Sequence, residues 1–147
     1  AAAVGEVNVV EKMKEVNAVI GGEGNGGVIY PELHYGRDAL VGVGLFLTYL
    51  CESQCSCSEL KAKFPLYYMS KNKIQLDATT NVDEILAKLA DKFKNEKVTT
   101  IDGVKIDFEE GWVHLRKSNT EPIIRVYSEG KSEIEAERLA KLIVDSL

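Results

Sequence analysis

Trp112-Val113-His114-Leu115-Arg116-Lys117-Ser118-Asn119-Thr120-Glu121-Pro122-Ile123-Ile124-Arg125-Val126-Tyr127-Ser128 reads as two strand-like runs joined by a short polar loop. Residues 116–125 gather two guanidinium groups, an ammonium, two hydroxyls and a turn-prone asparagine. Ser118, Asn119 and Thr120 favour turns, and asparagine tolerates the left-handed backbone that otherwise needs glycine. Such a turn aims successive N–H groups into one concavity fit for an anion. Arg116 ends one strand and Arg125 lies in the next, so both reach over the same loop. A donor set of this kind suits a phosphate, with its several acceptor oxygens. Glu121 is the discordant charge; its expected part is a salt bridge that orients an arginine, and Pro122 stiffens the exit. The competing reading is a surface hairpin with weak exposed ion pairs. Placement between two strands favours the anion site.

The flanks supply the rest of a small domain. Upstream, residues 98–101 and 104–108 flank Asp102-Gly103, a two-residue hairpin signal. Asn81 with Glu84 makes a capping-box pattern ahead of Ile85, Leu86, Leu89 and Phe93. Downstream, Ser132 with Glu135 caps a last helix whose apolar face includes Ile134, Leu139, Leu142 and Ile143. Residues 66–76 read as an extended linker passing into a first strand at 73–76. The expectation for 71–147 is a small α+β domain, an antiparallel sheet with two helices. Trp112, Tyr30 and Phe108 are expected in cores.

Residues 1–70 read differently: a short helix at 9–16, a buried strand at 18–20, a glycine loop, a strand at 28–30 stopped by Pro31, and an apolar helix opened by Arg37 and Asp38. A short helix follows at 58–63. The apolar run from Ala39 to Leu50 is too short to span a bilayer. It is expected to be a buried helix whose glycines allow close packing. With so few strands this half is an α/β partial domain.

Gly21-Gly22-Glu23-Gly24-Asn25-Gly26-Gly27 sets one carboxylate and one amide among five glycines. Formally it contains the dinucleotide fingerprint. That fingerprint needs a helix N-terminus directly after the glycines, whereas a strand follows here, and Glu23 would repel phosphates. The dinucleotide reading fails. A carboxylate can instead accept from two vicinal hydroxyls, while Asn25 donates and accepts. The plainer alternative is a glycine turn with a solvated Glu23. Taken with the basic loop, the pair of stretches suggests a phosphosugar.

A net charge of -5 over 147 residues argues against a general nucleic-acid or membrane-surface role. Cys51, Cys55 and Cys57 lack a second cluster that would complete a zinc site, and they read as reduced cytoplasmic thiols. His34 and His114 have no obvious acidic or serine partner, which argues against a histidine base or triad.

The two loops together resemble motifs of the α-D-phosphohexomutases, which include phosphoglucomutases, phosphomannomutases and phosphoglucosamine mutases. Gly22-Glu23-Gly24-Asn25-Gly26 is similar to their sugar-recognition loop, and Arg116 to Pro122 with Arg125 is similar to their phosphate-binding loop. The resemblance covers essentially the whole chain. It implies that 1–70 is the C-terminal part of the third, sugar-binding α/β domain and 71–147 the fourth, phosphate-binding domain. It further implies that Arg116, Ser118, Asn119, Thr120 and Arg125 hold the non-reacting phosphate while Glu23 and Asn25 meet ring hydroxyls. Glu6 falls where some members carry another sugar or phosphate contact. The reaction implied is transfer of phosphate between C1 and C6 of a hexose through a 1,6-bisphosphate. Hexose 1-phosphate, 6-phosphate and 1,6-bisphosphate are thus the implied ligands, and the N-terminal domains of the same chain the implied partner.

In the family a phosphorylated serine does the chemistry and Mg2+ binds a loop of spaced aspartates. Neither a Thr-Ala-Ser-His-Asn type segment nor an Asp-x-Asp-x-Asp segment stands in these residues. Cofactor and nucleophile are therefore expected outside them, and these residues alone are expected to be inactive. Many relatives have Ser where Asn25 stands, Gly where Asn119 stands, and some have His where Gly27 stands. The glycine-rich loop leans towards phosphoglucosamine or phosphomannose. Two other classes compete: a phosphosugar- or anion-binding module without catalysis, and a structural or oligomerisation domain.

Overall fold

A computed structural model of the chain describes residues 1–77, 80–118 and 121–147. It divides into two units, Ala1–Pro65 and Leu66–Leu147.

In the first unit, helix α1 (Glu6–Val16) runs to Asn17, whose left-handed backbone (φ 51°) ends it. Strands β1 (Gly21–Gly22), β2 (Val28–Tyr30) and β3 (His34–Arg37) form an antiparallel sheet in that order. Helices α2 (Ala39–Ser53) and α3 (Cys57–Ala62) follow. Asp38 is the N-cap of α2, its carboxylate accepting from the Val41 N–H at 3.0 Å. Ser56 and Glu59 close a reciprocal capping box on α3.

Two expected elements of this unit differ. Residues 18–20 are no buried strand; Val19 and Ile20 are exposed, and pairing begins only at Gly21, opposite Ile29. The apolar helix forms but is not buried: no residue of α2 is, and Leu40 is 83% exposed. Apolar pattern specifies the helix, but burial needs a partner surface, and α2 packs here on β2 and α3. Close packing at a glycine holds at Gly42, where an added Cβ would come within 3.2 Å of the Val28 side chain. Among the described residues Met13, Ile29 and Leu60 are this unit's buried apolar side chains.

The second unit is the α+β fold expected. Strand β4 (Tyr68–Gln75), helix α4 (Val82–Lys92), strands β5 (Lys97–Thr99), β6 (Val104–Asp107), β7 (Gly111–Lys117) and β8 (Ile123–Gly130), and helix α5 (Glu133–Val144) follow one another. The five strands are antiparallel in the order β4-β8-β7-β6-β5. Alternate residues of β6, β7 and β8 (Val104 and Ile106, Val113 and Leu115, Ile124 and Val126) pack with Leu86 and Leu89 of α4 and Leu139 and Ile143 of α5. Each such side chain contributes about 1.5–3 kcal/mol by leaving water.

Intervening residues point to the opposite face: Lys71 and Lys73 on β4, Arg125, Tyr127 and Glu129 on β8, Trp112, His114 and Arg116 on β7. Trp112 is therefore not in the core. It donates to Glu129 Oε1 at 2.9 Å and lies under the Lys105 ammonium. Tyr30 is likewise only half-buried and donates to Glu32, whereas Phe108 packs edge-on against Phe93 beside the core.

Several boundaries differ from the sequence expectation. β4 begins at Tyr68, well before residue 73, because an edge strand with one partner needs little apolar content. The Asp102-Gly103 hairpin is wider than two residues, since Thr99 pairs with Lys105. Asp102 is drawn over β7, where its carbonyl meets His114 Nε2 at 2.6 Å. Gly103 (φ 70°) lies so close to β7 that a Cβ would sit 2.1 Å from the Leu115 carbonyl oxygen. Both expected caps accept from the N3 amide, Asn81 from Glu84 and Ser132 from Glu135. Glu84 pairs with Lys88 rather than reaching back to its cap. Ile134 is 79% exposed and Leu142 is exposed, so the buried face of α5 is Ala136, Leu139, Ala140 and Ile143.

Candidate functional site

The register of the second unit brings the two arginines together. Arg116 on β7 lies directly opposite Arg125 on β8, and Arg125 lies directly opposite Lys73 on β4. Ser118, at 7% exposure, follows β7, and its N–H donates to the Ile123 carbonyl at 3.0 Å, closing the base of the loop. The Leu76 N–H holds the Pro122 carbonyl at 3.0 Å, tying β4 to the loop's exit. Asn119 and Thr120 lie outside the described residues.

Each arginine has an acidic neighbour. Arg116 Nη1 is 3.4 Å from Asp102 Oδ2, so the displaced β5–β6 loop holds one guanidinium in place. Arg125 Nη2 is 3.8 Å from Glu121 Oε2, the orienting partner that the discordant charge suggested, at long range. Arg125 Nε is buried without a hydrogen-bond partner among the described residues. A buried, unpaired N–H on a cation costs free energy that an acceptor oxygen would recover. Beside it a depression of about 370 Å³ is lined by Lys71, Asn72, Lys73, Glu121, Ile123, Arg125 and Tyr127.

In the first unit the glycine loop is a tight turn. Glu23 N–H donates to Gly27 O at 3.2 Å and Gly26 N–H to Glu23 O at 3.1 Å, with Gly26 at φ 91°. Glu23 Oε1 accepts from the Gly5 N–H at 3.1 Å, Asn25 Nδ2 is 3.4 Å from Glu23 Oε2, and Asn25 Oδ1 accepts from the Gly27 N–H at 2.9 Å. Gly5 and the loop's own groups thus hold both polar side chains in one network, which fixes their orientation.

Glu6 does not stand alone. Its carboxylate takes both the Arg37 backbone N–H at 3.2 Å and Arg37 Nε at 2.8 Å. Glu6, Asn25 and Arg37 line a depression of about 610 Å³ with Gly26, Gly27 and Asp38. A Cβ on residue 27 would come within 2.7 Å of Arg37 Cδ, so the glycine is what lets the arginine lie there. Arg37 is the residue that sequence reasoning missed as a site member. Its placement depends on β3 folding back to the start of α1, a long-range contact with no local signature.

His34 does have an acidic partner, Asp38 Oδ2 at 3.2 Å. The Val41 amide, and then His34, hold the Asp38 carboxyl below the usual aspartate range. A depressed folded-state pKa stabilises the fold above the unfolded pKa, and that contribution is lost as pH falls through the folded value. Asp38→Asn is therefore expected to weaken α2 at neutral pH and to narrow the difference from the parent in strong acid, as read from helical circular dichroism against pH. An equal difference at both ends of the range would contradict this.

Among the described residues no group of three or more His, Cys, Asp or Glu is placed to hold a metal, and no helix is long and apolar enough to cross a membrane. The three cysteines are free thiols.

The second unit thus carries two facing arginines beside a buried serine, and the first an acidic glycine loop. Residues 1–67 match the model of phosphoglucomutase/phosphomannomutase, alpha/beta/alpha domain III, and residues 72–146 that of the phosphoglucomutase/phosphomannomutase C-terminal domain. The chain belongs to the phosphoglucomutase/phosphomannomutase family. It is 42% identical over 141 residues to a phosphoglucomutase/phosphomannomutase of Thermococcus kodakarensis, covering 95% of this chain and 30% of that protein. It is 40% identical over 138 residues to a phosphoglucosamine/phosphogalactosamine mutase of Sulfurisphaera tokodaii, covering 92% of this chain and 30% of that one. A crystal structure of a phosphoglucomutase/phosphomannomutase family protein from Burkholderia thailandensis superposes with a TM-score of 0.70 at 26% identity, covering 94% of this chain and 30% of that chain. The chain thus spans about 30% of the length of these relatives.

Proposed function

We propose that this chain supplies the ligand-recognition part of a hexose-phosphate mutase, an isomerase that moves phosphate between C1 and C6 of a sugar. Residues 1–70 meet the sugar and residues 71–147 hold the phosphate that is not reacting. The observation that carries this reading is the in-register facing of Arg116 and Arg125 beside Ser118, with Arg125 Nε buried and lacking an acceptor among the described residues. Two guanidinium groups and a loop of N–H donors neutralise and orient a phosphate dianion. Ser118, Asn119 and Thr120 complete that clamp. Glu23 and Asn25 exchange their internal hydrogen bonds for sugar hydroxyls, and Glu6, braced by Arg37, takes another.

The ligands are hexose 1-phosphate, 6-phosphate and 1,6-bisphosphate. Both orientations of the bisphosphate present one phosphate to the same clamp, so the chain's contribution is positioning rather than bond making. The nucleophilic serine and Mg2+ belong to other segments of a cytoplasmic protein. These 147 residues alone are expected to show no turnover.

An amide-resolved NMR titration with glucosamine 6-phosphate, mannose 6-phosphate and inorganic phosphate tests the assignment. Shifts centred on 116–125 with all three, and added shifts at Glu23 and Asn25 with one sugar, are expected. Shifts confined to regions outside both loops would refute it.

A further inference from the structure

We propose that Lys73 is a third cation of the phosphate site, contacting the phosphate of a hexose phosphate together with Arg125. The inference rests on reading Arg116 and Arg125 as a phosphate clamp, and it adds a ligand from a strand outside the loop motif.

Lys73, Arg125 and Arg116 stand in one row across three neighbouring strands, on the face away from the core. At the usual strand spacing that row is about 10 Å wide. Like charges directly opposite one another in a sheet are destabilising. Within the row Arg116 leans on Asp102 and Arg125 on Glu121, the latter only at 3.8 Å. Lys73 has no carboxylate within ion-pair distance among the described residues. The row thus carries more positive charge than its neighbours offset.

Two further features favour an acceptor beside Lys73. Arg125 Nε, buried and without a partner among the described residues, lies on the strand that pairs with Lys73. Lys73 and Arg125 also line the same depression of about 370 Å³. That lining, with three cations against the one carboxylate of Glu121, suits an anion with several acceptor oxygens, one for the Arg125 Nε and another for the ammonium. The strand is held to the loop by the Leu76–Pro122 hydrogen bond, so Lys73 moves with the clamp.

A lysine on an edge strand also guards against pairing with other chains. That role requires only a charge on the edge and is indifferent to phosphate, so the two roles part experimentally. Phosphate affinity of the whole chain would be measured by NMR in phosphate-free buffer, with inorganic phosphate in one arm and glucosamine 6-phosphate in the other. The variants are Lys73→Gln, Lys73→Arg, Arg116→Ala and, as a control, Lys131→Gln just past the far end of β8.

Lys73→Gln is expected to weaken both ligands about tenfold, the usual value of a charge-assisted contact, with Lys73→Arg close to the parent and Lys131→Gln unchanged. Loss with Arg116→Ala but not with Lys73→Gln overturns the inference and leaves the clamp standing. Equal losses with Lys73→Gln and Lys131→Gln overturn it as well, by reducing it to net charge. An absence of phosphate binding by the parent chain removes the clamp reading, and Lys73 with it. Loss for the sugar phosphate but not for inorganic phosphate would place Lys73 on the sugar and also overturn the assignment.

Discussion

Replacing Arg116 and Arg125 together with alanine is expected to weaken hexose phosphate binding by about a hundredfold or more, with the fold retained. Each charge-assisted hydrogen bond contributes about 1.5–3 kcal/mol, and tenfold in affinity corresponds to about 1.4 kcal/mol. Both side chains lie on the sheet face away from the core, 30% and 40% exposed, so their removal opens no cavity. Because they oppose each other in register, truncation also relieves a like-charge contact. The thermal midpoint of the ligand-free double variant is therefore expected to match or slightly exceed the parent, while the rise in midpoint on adding ligand disappears. A variant that binds as the parent does would show that the arginines serve another purpose. One that unfolds would show that they carry structure.

Ile124→Ala is expected to have the largest effect on stability. Ile124 has no exposed surface and lies near the start of β8, opposite Ile74 of β4, in the core with residues of α4 and α5. Isoleucine-to-alanine truncation in such a site costs about 2–5 kcal/mol, a large share of the roughly 5–15 kcal/mol that holds a domain folded. Ile134→Ala makes the contrast. Ile134 belongs to the same apolar pattern in the sequence but is 79% exposed, and a change within about 0.5 kcal/mol is expected. Urea unfolding followed through Trp112, the single tryptophan and a β7 residue, reads both variants. Equal shifts in midpoint would contradict the packing described.

The difference between those two isoleucines shows what the sequence could and could not disclose. The strands β7 and β8 were legible because Val113, Leu115, Ile124 and Val126 each fall on the same face of a two-residue period, with a turn-rich loop between them. α4 and α5 were legible from their caps. Which turn of α5 faced inward was not, because Ile134 and Leu139 look alike until the sheet fixes the helix's rotation. β4 was half legible: it has one neighbour, so Tyr68 to Lys71 need no alternation. The apolar stretch of α2 was legible as helix, but its burial depended on surfaces that no local pattern reports.

For the site, Arg116, Ser118, Arg125, Glu23 and Asn25 stood out as residue types unusual for their loops. Arg37 did not, since one arginine ahead of a helix is commonplace until Glu6 is found beside it. In the sequence Asp102 is a turn residue; its second part, steadying Arg116, depends on the loop leaning over β7.

The pairing of β4 with β8 bears on how the second unit assembles. The strand made first in this unit hydrogen-bonds only to the strand made last, with eight residue pairs in register. A contact between segments so far apart in the chain closes late, after α4 and the β5–β6–β7 meander have had time to form locally. Lys73 and Arg125 meet in that same closing step. During synthesis, then, neither strand order nor the full row of cations exists until β8 has emerged, and the proposed anion site matures together with the sheet.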